Sequence, residues 1–114
     1  MAGRRVAVVG HCASGKSTVV AALRERGIDA CAVAQEHSAI ADLWRRQSPD
    51  VLVYLDVGLE SIRVRRDAPR WPDWLYDLQS ARLSDARRHA DIFIRTDALP
   101  VEDVVEQVLN ALAR

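Results

Sequence analysis

Lysine is almost absent from this chain: of its sixteen basic residues, only Lys16 is not an arginine. Net charge is absent too, because sixteen acidic residues balance the sixteen basic ones. A dedicated nucleic-acid or anionic-membrane binder needs a basic excess, so neither is expected as a partner. No apolar stretch approaches the ~20 residues that span a bilayer. Arg4-Arg5 followed by Val6 to Val9 imitates the start of a signal peptide. That apolar run stops at Gly10-His11, short of the ~7–15 residues of a secretory segment. A cytoplasmic location is therefore expected. The two cysteines, Cys12 and Cys31, have no metal-like neighbours in sequence, and His11, His37 and His89 form no His-x-x-x-His pair. Two free thiols are expected rather than a disulfide or a metal site.

What remains is an ordinary globular composition, 49% hydrophobic and 28% charged over 114 residues. That length suits one domain spanning 1–114, since two cores would each be too small to offset chain entropy. Val6 to Val9 is a short β-branched run of the kind buried on both faces of a sheet. Lys16 to Arg26 has helical spacing at Val19, Val20 and Leu23 and stops at Gly27. A weaker strand is expected over Asp29 to Ala34. Ser38 is suited to cap a helix running to Gln47 with Ile40, Leu43 and Trp44 inward. Pro49-Asp50 then precedes the clearest strand, Val51 to Leu55, which ends at Asp56. A helix near Leu59 carries Arg63, Arg65 and Arg66, and Asp67 to Pro72 reads as loop. Asp73 to His89 is a long helix with Trp74, Leu78 and Ala81 at helical spacing. Ile92 to Ile94 is a last strand, and Pro100 opens a final helix striped by Val101, Val104, Val105, Val108, Leu109 and Leu112. This alternation predicts an α/β fold: a small, mostly parallel four-stranded sheet covered on both faces, with ligands at the carboxyl ends of the strands.

The lone lysine sits in Gly10-His11-Cys12-Ala13-Ser14-Gly15-Lys16-Ser17, which fits G-x-x-x-x-G-K-[ST] at every fixed position. In such a loop Gly10 and Gly15 let successive N–H groups point into one concavity. The helix that begins at Lys16 adds the positive end of its dipole beneath a bound phosphate. Lys16 supplies a mobile charge to the terminal phosphates, the Ser17 hydroxyl can ligate Mg²⁺, and Ser14 and Thr18 add hydroxyls at the rim. A chance match across a chain so sparing of glycine and lysine is on the order of 10⁻⁴. The motif also follows a predicted strand and opens a predicted helix, the context it requires. ATP and Mg²⁺ are the expected ligands. Asp56 is placed to complete the Mg²⁺ site, or else caps the next helix. Glu36 competes for the same role, or acts as general base toward an acceptor hydroxyl, or is an exposed acid at a helix start.

At these residues the chain resembles the kinase branch of the P-loop NTPases, particularly nucleotide and small-molecule kinases of the thymidylate and shikimate kinase type. The resemblance implies a three-layer P-loop sandwich. The run from Pro49 through Asp56 to Glu60 is similar to the passage that precedes the lid in thymidylate-type kinases. Arg65 and Arg66 fall where those enzymes carry lid arginines that neutralise the transferring phosphoryl group. Thr96 to Pro100 matches the loop that passes beside the nucleotide base. Family members usually have a longer acceptor segment and an Asp-Arg-aromatic motif; here about twenty residues separate Gly27 from Pro49, and Gln35-Glu36-His37 stands where the motif would be. A GTPase is disfavoured, because a single lysine cannot serve both the phosphate loop and an Asn/Thr-Lys-x-Asp guanine motif.

Arg63, Arg65, Arg66 and Arg70 read either as phosphate-neutralising groups or as a solvated face of an arginine-rich chain, and Arg82, Arg87 and Arg88 read the same way. Trp71 and Trp74 read as core or interface anchors rather than base-stacking residues. Exposed sheet edges make a homodimer an additional expectation. Two functions follow: a Mg²⁺-dependent kinase-like enzyme moving phosphate from ATP to a small-molecule acceptor, with Lys16, Glu36, Asp56, Arg65 and Arg66 as its reactive groups, or a non-catalytic or weakly hydrolysing nucleotide-binding module acting through a protein partner.

Overall fold

The computed structural model describes residues 4–114. Its sheet has four strands, β1 (Arg5–Gly10), β2 (Asp29–Ala32), β3 (Val51–Asp56) and β4 (Ile92–Arg95), in the order β2-β1-β3-β4. Every neighbouring pair is parallel. The two strands with unbroken apolar runs take the middle: Val6 to Val9 and Val51 to Leu55 are all buried. This is the pattern expected where both faces of a parallel sheet are covered.

Helices α1 (Lys16–Glu25) and α4 (Val101–Leu112) cover one face. There Val19, Val20 and Leu23 of α1 and Val104, Val105 and Val108 of α4 pack on Val6, Val8, Val53, Leu55 and Ile94. The opposite face carries Ala7, Val9, Leu52 and Tyr54 under Leu83 and Ala86 of α3 (Asp73–His89) and Trp44. Helix α2 (Leu59–Arg65) follows β3 and buries Ile62. Because all strands run the same way, the loops after Gly10, Ala32, Asp56 and Arg95 leave the same edge of the sheet. No helix among the described residues is long and apolar enough to cross a membrane.

The strand expected over Asp29 to Ala34 stops at Ala32, and Val101 of the expected α4 stripe is exposed. Two other segments depart further from the sequence pattern. The helix expected over Ser38 to Gln47 is absent; short 3₁₀ turns at Gln35–His37 and Leu43–Gln47 stand on either side of an irregular stretch. Ile40 is 42% exposed, whereas Trp44 is buried as expected. Ser38 turns the chain locally, its Oγ accepting from Ile40 N–H at 3.0 Å. The physical cause is the fully buried Gln35. Its amide donates to Ile40 O at 2.6 Å and Arg82 O at 3.3 Å and accepts from Trp44 N–H at 3.0 Å. Backbone groups a helix ladder would have paired are satisfied by this one side chain instead.

The second departure is the orientation of α3. Trp74 and Leu78, with Ala81, face solvent, Trp74 being 67% exposed, while Gln79, Leu83 and Ala86 are buried. Thus Trp74 is no core anchor, although Trp71 is half-buried. The apolar spacing is misleading because α3 turns a polar edge inward, toward the loop after β1. Leu83→Ala should destabilise the protein by about 2–5 kcal/mol, and Trp74→Ala by less than about 1 kcal/mol, in chemical denaturation.

Candidate functional site

The loop from Gly10 to Gly15 links β1, one of the two buried central strands, to α1. Gly10 is required by close approach: a Cβ there would fall on Leu55 O and lie 2.7 Å from Ser14 Oγ. Ala13 and Gly15 both take left-handed backbone angles, with φ of 64° and 98°. Gly15 is the residue before the helix, and no side chain caps the first turn of α1. The leading N–H groups of an α-helix have no intrahelical acceptors, so this end is open to an anion.

Lys16 folds back over the loop. Its ammonium donates to Gly10 O at 2.8 Å and His11 O at 3.1 Å, and its third bond is an ion pair with Glu36 Oε2. Both partners are largely buried, at 13% and 4% side-chain exposure. The other carboxylate oxygen, Glu36 Oε1, is buried without a hydrogen-bond partner. Glu36 comes from the 3₁₀ turn after β2, so it is not the exposed helix-start acid that one sequence reading allowed.

Helix α3 holds the loop from the other side. Gln79 Oε1 accepts Cys12 N–H at 3.2 Å, and its amide nitrogen faces Cys12 Sγ at 3.2 Å. The His11 ring stacks on Tyr76 with centroids 4.5 Å apart. His11 Nε2 lies 2.8 Å from Ser80 Oγ, whose own proton goes to Tyr76 O at 2.9 Å. The hydroxyl therefore accepts from His11, which fixes the neutral Nε2–H tautomer and leaves Nδ1 buried and unpartnered. Burial pushes the His11 pKa below its ordinary 6.5, against the pull of the Asp56 carboxylate. Burial also pushes the Tyr54 phenol up to about 12.

Two cavities flank this loop. One, of about 330 Å³, is lined by Cys12, Ala13, Gly15, Lys16, Ser17, Thr18, Glu36, His37 and Arg66. The other, of about 250 Å³, shares Ala13, Gly15 and Thr18 and is completed by Ser14, Arg65, Thr96, Leu99, Val101 and Val104. Gly10 and His11, at the buried start of the loop, line neither cavity, and nor does Asp56, half-buried at the end of β3. The two arginines at the end of α2 part company. Arg66 faces the lysine cavity, whereas Arg65 is bonded to Ala13 O at 2.8 Å, Thr96 Oγ1 at 3.1 Å and Thr96 O at 2.7 Å. Neither Trp71 nor Trp74 lines these cavities.

Further bonds stiffen the surround. Asp97 accepts from Gly58 N–H at 2.8 Å and Ser61 Oγ–H at 2.6 Å, and the Ser61 bond holds its carboxyl below the usual range. Arg63 donates to Trp71 O at 2.9 Å and pairs with Glu60 and Asp73, fastening the Asp67 to Pro72 loop between α2 and α3. Sequence reasoning missed Gln35 and Gln79, the two buried amides that fix the loops around Glu36 and Cys12. Neither lies on an apolar stripe, so only a polar residue at an inward helical position could have signalled Gln79.

Compared with known protein families and with curated proteins, the chain matches none. Both cysteines are free thiols, as expected, but Cys12 has acquired metal-competent neighbours that its sequence surroundings did not show: its Sγ, a Glu36 carboxylate oxygen and a His37 ring nitrogen lie within 4.8 Å of one another.

The His11 environment has a pH consequence. A folded-state pKa below the unfolded 6.5 means the unfolded chain binds the proton more readily. The His11 contribution is complete above pH 6.5 and declines as pH falls below it, towards the folded-state pKa. Denaturant melts should show this decline in the wild type and a flatter profile for His11→Asn, with an NMR titration reporting the lowered His11 pKa.

Proposed function

We propose that the protein binds a nucleoside triphosphate, ATP, with Mg²⁺, in the manner of a P-loop kinase, and transfers its terminal phosphoryl group to a small-molecule acceptor. The observation that carries this reading is Lys16 itself, the one lysine of the chain, bonded to the carbonyls of Gly10 and His11 at the mouth of an uncapped helix. The two cavities support it further, since a phosphate chain in the lysine cavity and a nucleoside in the one walled by Leu99, Val101 and Val104 would meet across Ala13 and Gly15.

The residues present suit Mg²⁺ bound with ATP. Ser17 offers a hydroxyl at the cavity wall, and Glu36 Oε1 is a buried acceptor in need of a donor, such as a metal-bound water. On this reading Glu36 is the carboxylate of the site, and Asp56, which lines neither cavity, is a negative charge near His11. The metal would draw charge from the phosphates. Lys16 would leave its carbonyl partners to meet the terminal phosphate, and Arg66 would approach it from the end of α2. Arg65 would position the loop by holding Ala13 to Thr96.

A second reading, a nucleotide-binding module that hydrolyses weakly or not at all and acts through a protein partner, is favoured by one observation. The Asp67 to Pro72 loop, which stands where kinases of this type carry a lid, is fastened by Arg63 to Trp71 and Asp73 and has little freedom to close over an acceptor.

Calorimetric titration with ATP and Mg²⁺ should give one site per chain, and Lys16→Ala should weaken it by about tenfold or more. Failure of ATP, ADP and GTP alike to bind at millimolar concentration would overturn both readings. ADP release matched by phosphorylation of an acceptor, against a screen of nucleosides and small alcohols, supports the kinase. Background hydrolysis alone supports the module.

A further inference from the structure

One cluster beside the lysine has chemistry that a phosphate loop does not call for. Cys12 Sγ lies 3.6 Å from His37 Nε2, and His37 Nε2 lies 3.8 Å from Glu36 Oε2. A thiolate and an imidazole nitrogen sharing a tetrahedral Zn²⁺, at bonds of about 2.3 and 2.05 Å, stand about 3.5 Å apart. The observed sulfur–nitrogen separation is already at that spacing, and a Glu36 carboxylate oxygen lies within 4.8 Å of both. We propose that Cys12, Glu36 and His37 form a site for one thiophilic divalent cation, with Zn²⁺ as its natural occupant, on the wall of the lysine cavity.

Three features beyond proximity support this. The first is the set itself: one sulfur, one nitrogen and one oxygen donor, the mixture preferred by Zn²⁺ and unsuited to Mg²⁺, which takes oxygen ligands. The second is the orientation of Gln79. Cys12 N–H can only donate, so Gln79 Oε1 must face it, and the amide N–H of Gln79 is left pointing at Cys12 Sγ. An N–H directed at the sulfur from a buried side chain stabilises a thiolate ligand, the supporting contact typical of metal sites. The third is Glu36, which is only 3% exposed and has an oxygen without a partner.

Access is provided by the partly exposed His37, 61% exposed in its side chain, and by the cavity that all three residues line. Three protein ligands leave a fourth position for water or an anion. On binding, the Cys12 thiol proton passes to solvent, and no electron is transferred. The metal would share Glu36 with Lys16, so its occupancy would loosen the ion pair that holds the ammonium down. The site does not depend on the nucleotide reading, because its ligands are in place without any phosphate.

Cobalt(II) titrated into the reduced, nucleotide-free full chain tests the proposal directly. One equivalent should produce a thiolate-to-cobalt charge-transfer band and the visible bands of a tetrahedral ion, and Zn²⁺ should displace it. His37→Ala changes an exposed side chain and should fold normally, checked by circular dichroism. It should weaken binding by about tenfold or more, taking loss of a ligand to cost at least as much as loss of a supporting contact. Cys12→Ser should remove the charge-transfer band, and Cys31→Ser should leave it unchanged. Absence of the band in the wild type, its persistence in Cys12→Ser, its loss in Cys31→Ser, or unaltered affinity in His37→Ala would overturn the assignment. Because the readout contains no nucleotide, failure here is separable from failure to bind ATP.

Discussion

Lys16 is a cation held where water is scarce, and the local structure is arranged around satisfying it. An ammonium with three donors needs three acceptors once it is largely buried. Two are supplied by carbonyls of its own loop, which can reach it because Gly10 brings the chain against β3 and Ala13 and Gly15 reverse it. The third is Glu36, delivered by the turn after β2. Removing either member of such a pair leaves the other charge buried alone, which is costlier than removing both. The pair thus joins the ends of β1 and β2, and on the proposed function it is these carbonyl bonds that Lys16 would give up for a phosphate.

The opposite wall meets a matching constraint with neutral groups. Cys12 N–H and the His11 ring would be unsatisfied under an apolar helix, so α3 presents Gln79, Ser80 and Tyr76 to them. A helix with that duty cannot also turn all its large apolar residues inward, which accounts for an exposed Trp74. Gln35 plays the corresponding part for the segment after Glu36, pairing backbone groups between Ile40 and Trp44. Two buried glutamines therefore hold the segments that carry Cys12 and Glu36.

What could be read from the sequence divides along the same line. The central strands, α1, α4 and the phosphate-loop pattern were legible because they rest on short-range rules: unbroken β-branched runs, helical apolar stripes, glycines at fixed spacing. The pairing of Lys16 with Glu36 was not, since the two lie twenty residues apart and the sequence put Asp56 ahead of Glu36 as the carboxylate of the site. The irregular stretch after Ser38 and the outward face of α3 were misread for one reason. Each depends on a side-chain amide satisfying distant backbone, a term that apolar periodicity does not contain. The grouping of Cys12 with His37 was equally hidden, because the two residues come from two different strand ends.

The central claim is that the loop around Lys16 receives the phosphates of a nucleotide. Amide chemical-shift mapping of isotope-labelled protein with Mg²⁺ and ATP tests it most directly, because every N–H of the loop reports separately. The account predicts the largest shifts at Gly15, Lys16, Ser17 and Thr18, with smaller ones from Thr96 to Val101. Unchanged loop amides at millimolar nucleotide, or shifts concentrated away from the carboxyl edge of the sheet, would contradict it.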